Sequence, residues 1–133
     1  MRKQPKRAAK KPEVRPPKHV TVTVSPPTTK EKADYCNVQP SVVCVRYGGR
    51  VTFKCAKGCG PLEVFVPKPN RADDLFPRSG RLLKVHGKPR GATFTVVVAK
   101  TKNPPAIEYP YAVYCRECNC FGKGSIPKII VFH

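Results

Sequence analysis

The stretch YPYAVYCRECNCFGKGSIPKIIVFH, residues 109–133, places three cysteines within six residues between two apolar runs. YAVYC and PKIIVF both read as strands, with a sulfur-rich loop between them. Outward from there the strand pattern recurs. HVTVTVS sets Val20, Val22 and Val24 against Thr21 and Thr23, a half-buried strand with one apolar face. SVVCVRYGGRVTFKCA holds two strand-like runs around Gly48-Gly49, a dipeptide that accepts the positive φ of a tight hairpin turn. Val51, Phe53 and Cys55 fall on one side of the second run. Leu62 to Val66 forms another short strand, with Phe65 on the face opposite Leu62, Val64 and Val66. RLLKVHGKPRGATFTVVVAK predicts two more strands joined by a turn, Phe94, Val96 and Val98 alternating in the second. PPTTKEKADYCNVQP, NRADDLFPRSGR and the turn around KNPPAIEYP read as connections.

No window sustains a 3.6-residue period, and 16 Pro and 9 Gly break the chain into short pieces. A helical bundle is therefore not expected, and 133 residues suffice for one modest core. Seven or eight short strands predict an all-β, antiparallel β-sandwich.

From about residue 42 to 133 the chain resembles the cupredoxin family, whose members close with a Tyr-x-aromatic-x-Cys strand, a short loop carrying His and Met, and a Gly-x-Ile-x-Val strand. Tyr111, Val113 and Cys115 match the first of these and GSIPKIIV the last. YGGRVTFKC is similar to the family's Gly-x-x-Val-x-Phe strand, and GPLEVFV to the segment that supplies the first copper ligand. The resemblance implies a Greek-key sandwich over residues 19–133. Tyr111, four residues before Cys115, is a candidate tyrosine corner whose hydroxyl pins the strand to a nearby loop.

A type 1 copper site needs two imidazoles and a thiolate in a plane, with a weak axial ligand. Carried over residue by residue, Leu62 stands where the first His follows Pro61, Cys118 where the second His belongs, and Lys123 near the axial position. Cys115 alone remains, so type 1 copper is not expected. The resemblance also implies that the turn CAKGC, with Cys55 and Cys59, meets the loop CRECNC, with Cys115, Cys118 and Cys120. Four such thiolates suit tetrahedral zinc. Three readings stay open: a metal site, disulfides such as Cys59–Cys118 or Cys55–Cys115, or inert buried thiols. Cys36 and Cys44 can pair with each other, or one of them is the odd thiol among 7 cysteines.

The formal net charge is +18. MRKQPKRAAKKPEVRPPK, residues 1–18, carries Arg2, Lys3, Lys6, Arg7, Lys10, Lys11, Arg15 and Lys18 against Glu13 alone, a net +7 that leaves +11 for the rest. Its prolines oppose helix and it offers almost nothing to a core, so it reads as an arm disordered in isolation. Such an arm is either solubilising or a clamp for an acidic protein or nucleic acid. Tyr35, Tyr47, Phe65 and Phe121 can stack on bases if exposed, although no RNA-binding signature contains them.

Catalytic patterns are thin. His19, His86 and His133 are scattered, Asp73 and Asp74 are expected to balance Arg71 and Arg78, and no P-loop, dinucleotide fingerprint or Ser/His/Asp grouping occurs. The sequence therefore predicts a non-enzymatic binding or structural module with a Cys-rich end held by metal or disulfides. The rival is a redox or metal-transfer protein using the C-x2-C-x-C loop, with Arg116 favouring the thiolate. No apolar segment suits a signal peptide or a membrane span, so a cytoplasmic location is expected if Met1 is the start, and export if the cysteines form disulfides.

Overall fold

The computed structural model describes residues 16–26, 35–56, 61–86, 91–116, 120–122 and 126–133. Among them are eleven strands and no helix: β1 (His19–Ser25), β2 (Tyr35–Gln39), β3 (Val42–Arg46), β4 (Arg50–Cys55), β5 (Leu62–Phe65), β6 (Leu82–Val85), β7 (Ala92–Thr95), β8 (Ile107–Pro110), β9 (Ala112–Cys115), β10 (Cys120–Gly122) and β11 (Lys128–Phe132). Eight pair in the order β6-β5-β9-β10-β2-β1-β4-β7, and three form a second sheet, β3-β11-β8. With no helix, no described segment is a candidate membrane-spanning helix.

Alternation decides what each strand buries. Val22 and Val24 of β1, Val51 and Phe53 of β4, and Leu62 and Val64 of β5 point inward from the large sheet. Val43 and Val45 of β3, with Ile129 and Val131 of β11, complete the same cluster from the small one. Each such side chain contributes about 1.5–3 kcal/mol by leaving water. Phe53 is the hub of the aromatic part, edge-on to Tyr111 at 5.6 Å and to Phe76 at 6.4 Å, and tilted against Phe94 at 6.0 Å.

The all-β expectation agrees with the structure, but the purely antiparallel one does not. β1 pairs with β4, β2 with β10, and β3 with β11 in parallel. Alternation fixes which side chains face the core and is blind to strand direction, so the sequence pattern could not reveal this. The Gly48-Gly49 turn is sharp, with Gly48 at φ 77, yet its two strands lie in different sheets. β4 takes β1 as its neighbour and β3 takes β11, so no hairpin forms there. β6 and β7, likewise read as joined by a turn, sit at opposite ends of the large sheet, and the connecting residues 87–90 lie outside the described residues. The β7 strand stops at Thr95, after which Val96 and Val97 are both buried rather than alternating.

Two tyrosines on either side of Pro110 mark where the chain passes between sheets. β8 belongs to the small sheet and β9 to the large one, with Tyr111 alone between them. Tyr111 does not form the expected tyrosine corner. The Tyr111 hydroxyl is buried with no hydrogen-bond partner among the described residues. The Tyr109 hydroxyl instead donates to the Asp73 carbonyl at 2.9 Å, holding the loop between β5 and β6. Burial, then the neighbouring Tyr47, Asp73 and Asp74, pushes the Tyr109 phenol up to about 12. Burial alone raises that of Tyr111 further.

Candidate functional site

The outer face of β1, β4 and β7 follows from the alternation that fills the core. Parallel register sets His19 beside Arg50 and Thr23 beside Lys54. Antiparallel register sets Thr52 beside Thr93 and Arg50 beside Thr95. These three strands contain no acid, so the face is built from cations and hydroxyls. Thr52 Oγ1 lies 2.7 Å from both His19 Nε2 and Thr93 Oγ1, which ties the three strands across their outer surface. Thr52 is the buried polar residue of this network, whereas Arg50 and Lys54 on either side of it are exposed.

The base of the arm is fixed to one edge of this face. Arg46 N donates to Pro17 O at 2.9 Å, Arg46 Nε to Pro16 O at 3.3 Å, and Arg50 N to Lys18 O at 2.7 Å. Gly49 makes the approach possible, because a Cβ there would lie 2.5 Å from Lys18 O and 2.9 Å from Arg46 O. The chain therefore passes from the arm directly into a basic, hydroxyl-bearing surface. Of the eight arm cations, Lys18 is placed and exposed. Arg2, Lys3, Lys6, Arg7, Lys10, Lys11 and Arg15 lie outside the described residues.

At the other end of these strands lies Cys55. Cys55 ends β4, and its thiol donates to the His86 carbonyl at 3.8 Å. Burial first, and then Cys115, pushes the Cys55 thiol up. Cys115 is fully buried on β9, where its backbone pairs with Leu62 on one side and Cys120 on the other. Cys59, Cys118 and Lys123 lie outside the described residues, as does the side chain of Cys120. Among the described residues no disulfide joins Cys55 to Cys115 or Cys36 to Cys44, and no three His, Cys, Asp or Glu converge as a metal site. Arg116 reaches Glu63 at 3.4 Å.

Asp73 and Asp74 are charge-balanced, though not by the expected partners: Lys100 Nζ stands 2.9 Å from Asp73, and Arg81 Nε 3.3 Å from Asp74 Oδ1, an ion pair without a hydrogen bond. They line a cleft of about 540 Å³ between the β5–β6 loop and residues 95–100. Of the aromatics flagged for stacking, Phe65 and Phe121 share one exposed region, while the Tyr47 hydroxyl donates to Pro105 O at 2.7 Å elsewhere. The side chain of Tyr35 lies outside the described residues. The basic face itself escaped the sequence reading, although its signal was present: β1 and β4 alternate apolar residues with Thr, Lys and Arg and carry no acid.

Comparison with protein-family models and with curated proteins finds no match to this chain.

Proposed function

We propose that this chain is a non-enzymatic binding module that docks on an acidic or phosphate-bearing partner, an acidic protein or a nucleic acid. The contact surface is the cationic arm together with the outer face of β1, β4 and β7. The observation that carries this reading is the fixed root of the arm, bonded at Pro16, Pro17 and Lys18 to Arg46 and Arg50. A tail tethered anywhere would add charge, but one emerging beside Arg50, Lys54 and a row of threonines extends a surface already suited to anionic oxygens. Cations supply long-range attraction and charge-assisted hydrogen bonds, and hydroxyls supply neutral ones.

The test is affinity of the full chain for polyglutamate and for a 20-mer oligonucleotide as salt rises from 50 to 200 mM. Engaging six or more anionic groups predicts a loss on the order of 10³-fold or more over that range for the nucleic acid. Replacing the seven arm cations before Pro16 with Gln should flatten the slope, and Arg50→Gln with Lys54→Gln should flatten it further. Salt-independent binding would overturn the reading.

A second reading concerns the sulfur end, favoured by the juxtaposition of Cys55, Cys115 and the backbone of Cys120. We read the fold as a cupredoxin-like Greek-key sandwich whose copper site is replaced. In support, buried Leu62 pairs with Cys115 where that family carries an imidazole, a donor set unfit for type 1 copper. Zinc would be held by Cys55 and Cys115 with two of Cys59, Cys118 and Cys120, and would supply the charge that makes buried thiolates stable. Thiol redox transfer fits less well, because burial raises the Cys55 thiol and Glu63 engages Arg116. Elemental analysis with thiol counting decides: one zinc and four protected thiols support the metal site and a cytoplasmic protein, and disulfides without zinc support an exported, stapled one.

A further inference from the structure

Past β2 the outer face of the large sheet changes character. Register builds two cross-strand rows on the side away from the core. One runs Leu82–Phe65–Ala112, and the other runs Lys84–Glu63–Tyr114–Phe121. Phe65 is 48 % exposed, Leu82 52 %, Phe121 59 % and nearby Ile126 62 %. The Tyr114 and Phe121 rings lie 5.0 Å apart. Between these side chains open two adjoining hollows of about 340 and 300 Å³ that share Phe65, Ala112, Val113 and Phe121. A single exposed Leu or Phe is ordinary, whereas four around shared hollows with a charged rim mark an interaction site.

Charge selects the occupant. The rim carries Lys84 and Arg116 against Glu63, and Glu63 is already engaged by Arg116. Lys84 has no ion-pair partner among the described residues. The chain's own arm, with eight cations, would be repelled here, and so would a second copy of a chain carrying +18. Side chains fill recessed hollows where a flat bilayer surface does not. Nucleic acid is disfavoured by the Tyr114 and Phe121 rings, which pack on each other at 53°. We infer that the outer face of β10, β9, β5 and β6 docks an acidic protein segment, whose large apolar side chains fill the two hollows while its carboxylates meet Lys84 and Arg116. This rests on the acidic-partner reading above and adds a separate surface to it.

The experiment uses the full chain at 0.3 M salt, where the arm's long-range contribution is screened. The probe is a labelled synthetic 12-residue peptide alternating Asp with Phe and Leu, with two control peptides: Lys in place of Asp, and Ser in place of Phe and Leu. Binding is read by anisotropy and mapped by amide shifts. The expected result is binding with shifts centred on Phe65, Leu82, Ala112 and Phe121, at least tenfold weaker for either control. Phe65→Ser with Phe121→Ser, both exposed and so compatible with folding, should weaken it at least tenfold and leave low-salt polyglutamate binding unchanged. Equal binding of the Lys peptide, or shifts elsewhere, would overturn the inference. So would a face-dependent affinity, lost in the same variants, for self-association, a 20-mer oligonucleotide or phosphatidylserine vesicles in place of the peptide. If the peptide binds as expected but polyglutamate never binds, the arm reading fails and the docking face stands; the reverse result removes the face alone.

Discussion

Tyr109 and Tyr111 stand two residues apart where the chain leaves the small sheet for the large one, and removing their hydroxyls should act in opposite directions. Both rings are buried, but Tyr109 donates to the Asp73 carbonyl at 2.9 Å while the Tyr111 hydroxyl meets no partner among the described residues. A made hydrogen bond contributes about 1 kcal/mol net, and Asp73 is exposed enough for water to replace the lost donor, so Tyr109→Phe should cost about 1 kcal/mol. An unpartnered buried hydroxyl carries a desolvation penalty of about 1–3 kcal/mol, offset in part by its contacts, so Tyr111→Phe should be neutral or stabilise by up to about 1 kcal/mol. Urea or thermal unfolding at pH 7 separates the two, and a variant pair differing by about 1–2 kcal/mol would move apart in Tm by about 4–8 °C for a domain of this size. Tyr111→Phe as destabilising as Tyr109→Phe would refute the assignment of the two hydroxyls.

Alkaline pH gives the same pair a second signature. A phenol with a raised folded pKa holds its proton more tightly in the fold, so stability falls as pH rises from 10.0 through the folded value. For Tyr109 the gap between 10.0 and about 12 corresponds to at most about 2.7 kcal/mol lost across that window. The figure is an upper limit because the hydroxyl reaches an exposed loop. Tyr109→Phe removes this loss, so the variant starts about 1 kcal/mol below the parent at neutral pH and should overtake it between about pH 10.5 and 11. Curves that stay parallel to pH 12 would show that the Tyr109 phenol titrates as it does in the unfolded chain.

Four further outcomes follow from the geometry. Gly91 has φ 69, and a Cβ there would run into the Phe53 carbonyl, so Gly91→Ala should cost more than about 2 kcal/mol by urea unfolding. Gly48, at φ 77 with open space around it, should lose only about 1 kcal/mol on the same change. Thr52→Val removes the contacts to His19 and Thr93, both of which water can rehydrate, so thermal unfolding should register about 1 kcal/mol and no more than about 2. Glu63→Gln breaks an exposed pair with Arg116 and should change stability by no more than about 0.5 kcal/mol, detectable only as a loss of salt dependence.

What could be read from the sequence was burial. Val20, Val22 and Val24, the Val51-Phe53-Cys55 side of β4, and the outward turn of Phe65 all follow from a period of two. Three strands escaped it for local reasons. β10 is three residues long, β8 ends in Pro110 between proline-rich segments, and β2 offers only Cys36 and Val38 as its apolar face, within a polar stretch. Partner and direction escaped entirely, because parallel and antiparallel neighbours require the same inward Val and Phe. At the sulfur end Cys55 closes β4 and Cys115 closes β9, whereas Cys59 and Cys118 fall outside the described residues.

These omissions bear on function, because pairing order converts separate strand faces into surfaces. Arg50, Thr52 and Lys54 share one side of β4 by alternation, and the parallel pairing with β1 brings His19 and the arm's root alongside them. Phe65, Leu82 and Phe121 become one apolar face only because β9 separates β5 from β10 by a single strand. β2 joins the two halves, its first residues pairing with β10 and its last with β1. The large sheet curls until β4 contacts β6, so a partner with acidic and apolar stretches engages both faces only by reaching around it. Salt would then weaken the first contact more than the second, whose apolar side chains still fill the hollows, so affinity should fall to a plateau rather than to zero as ionic strength rises.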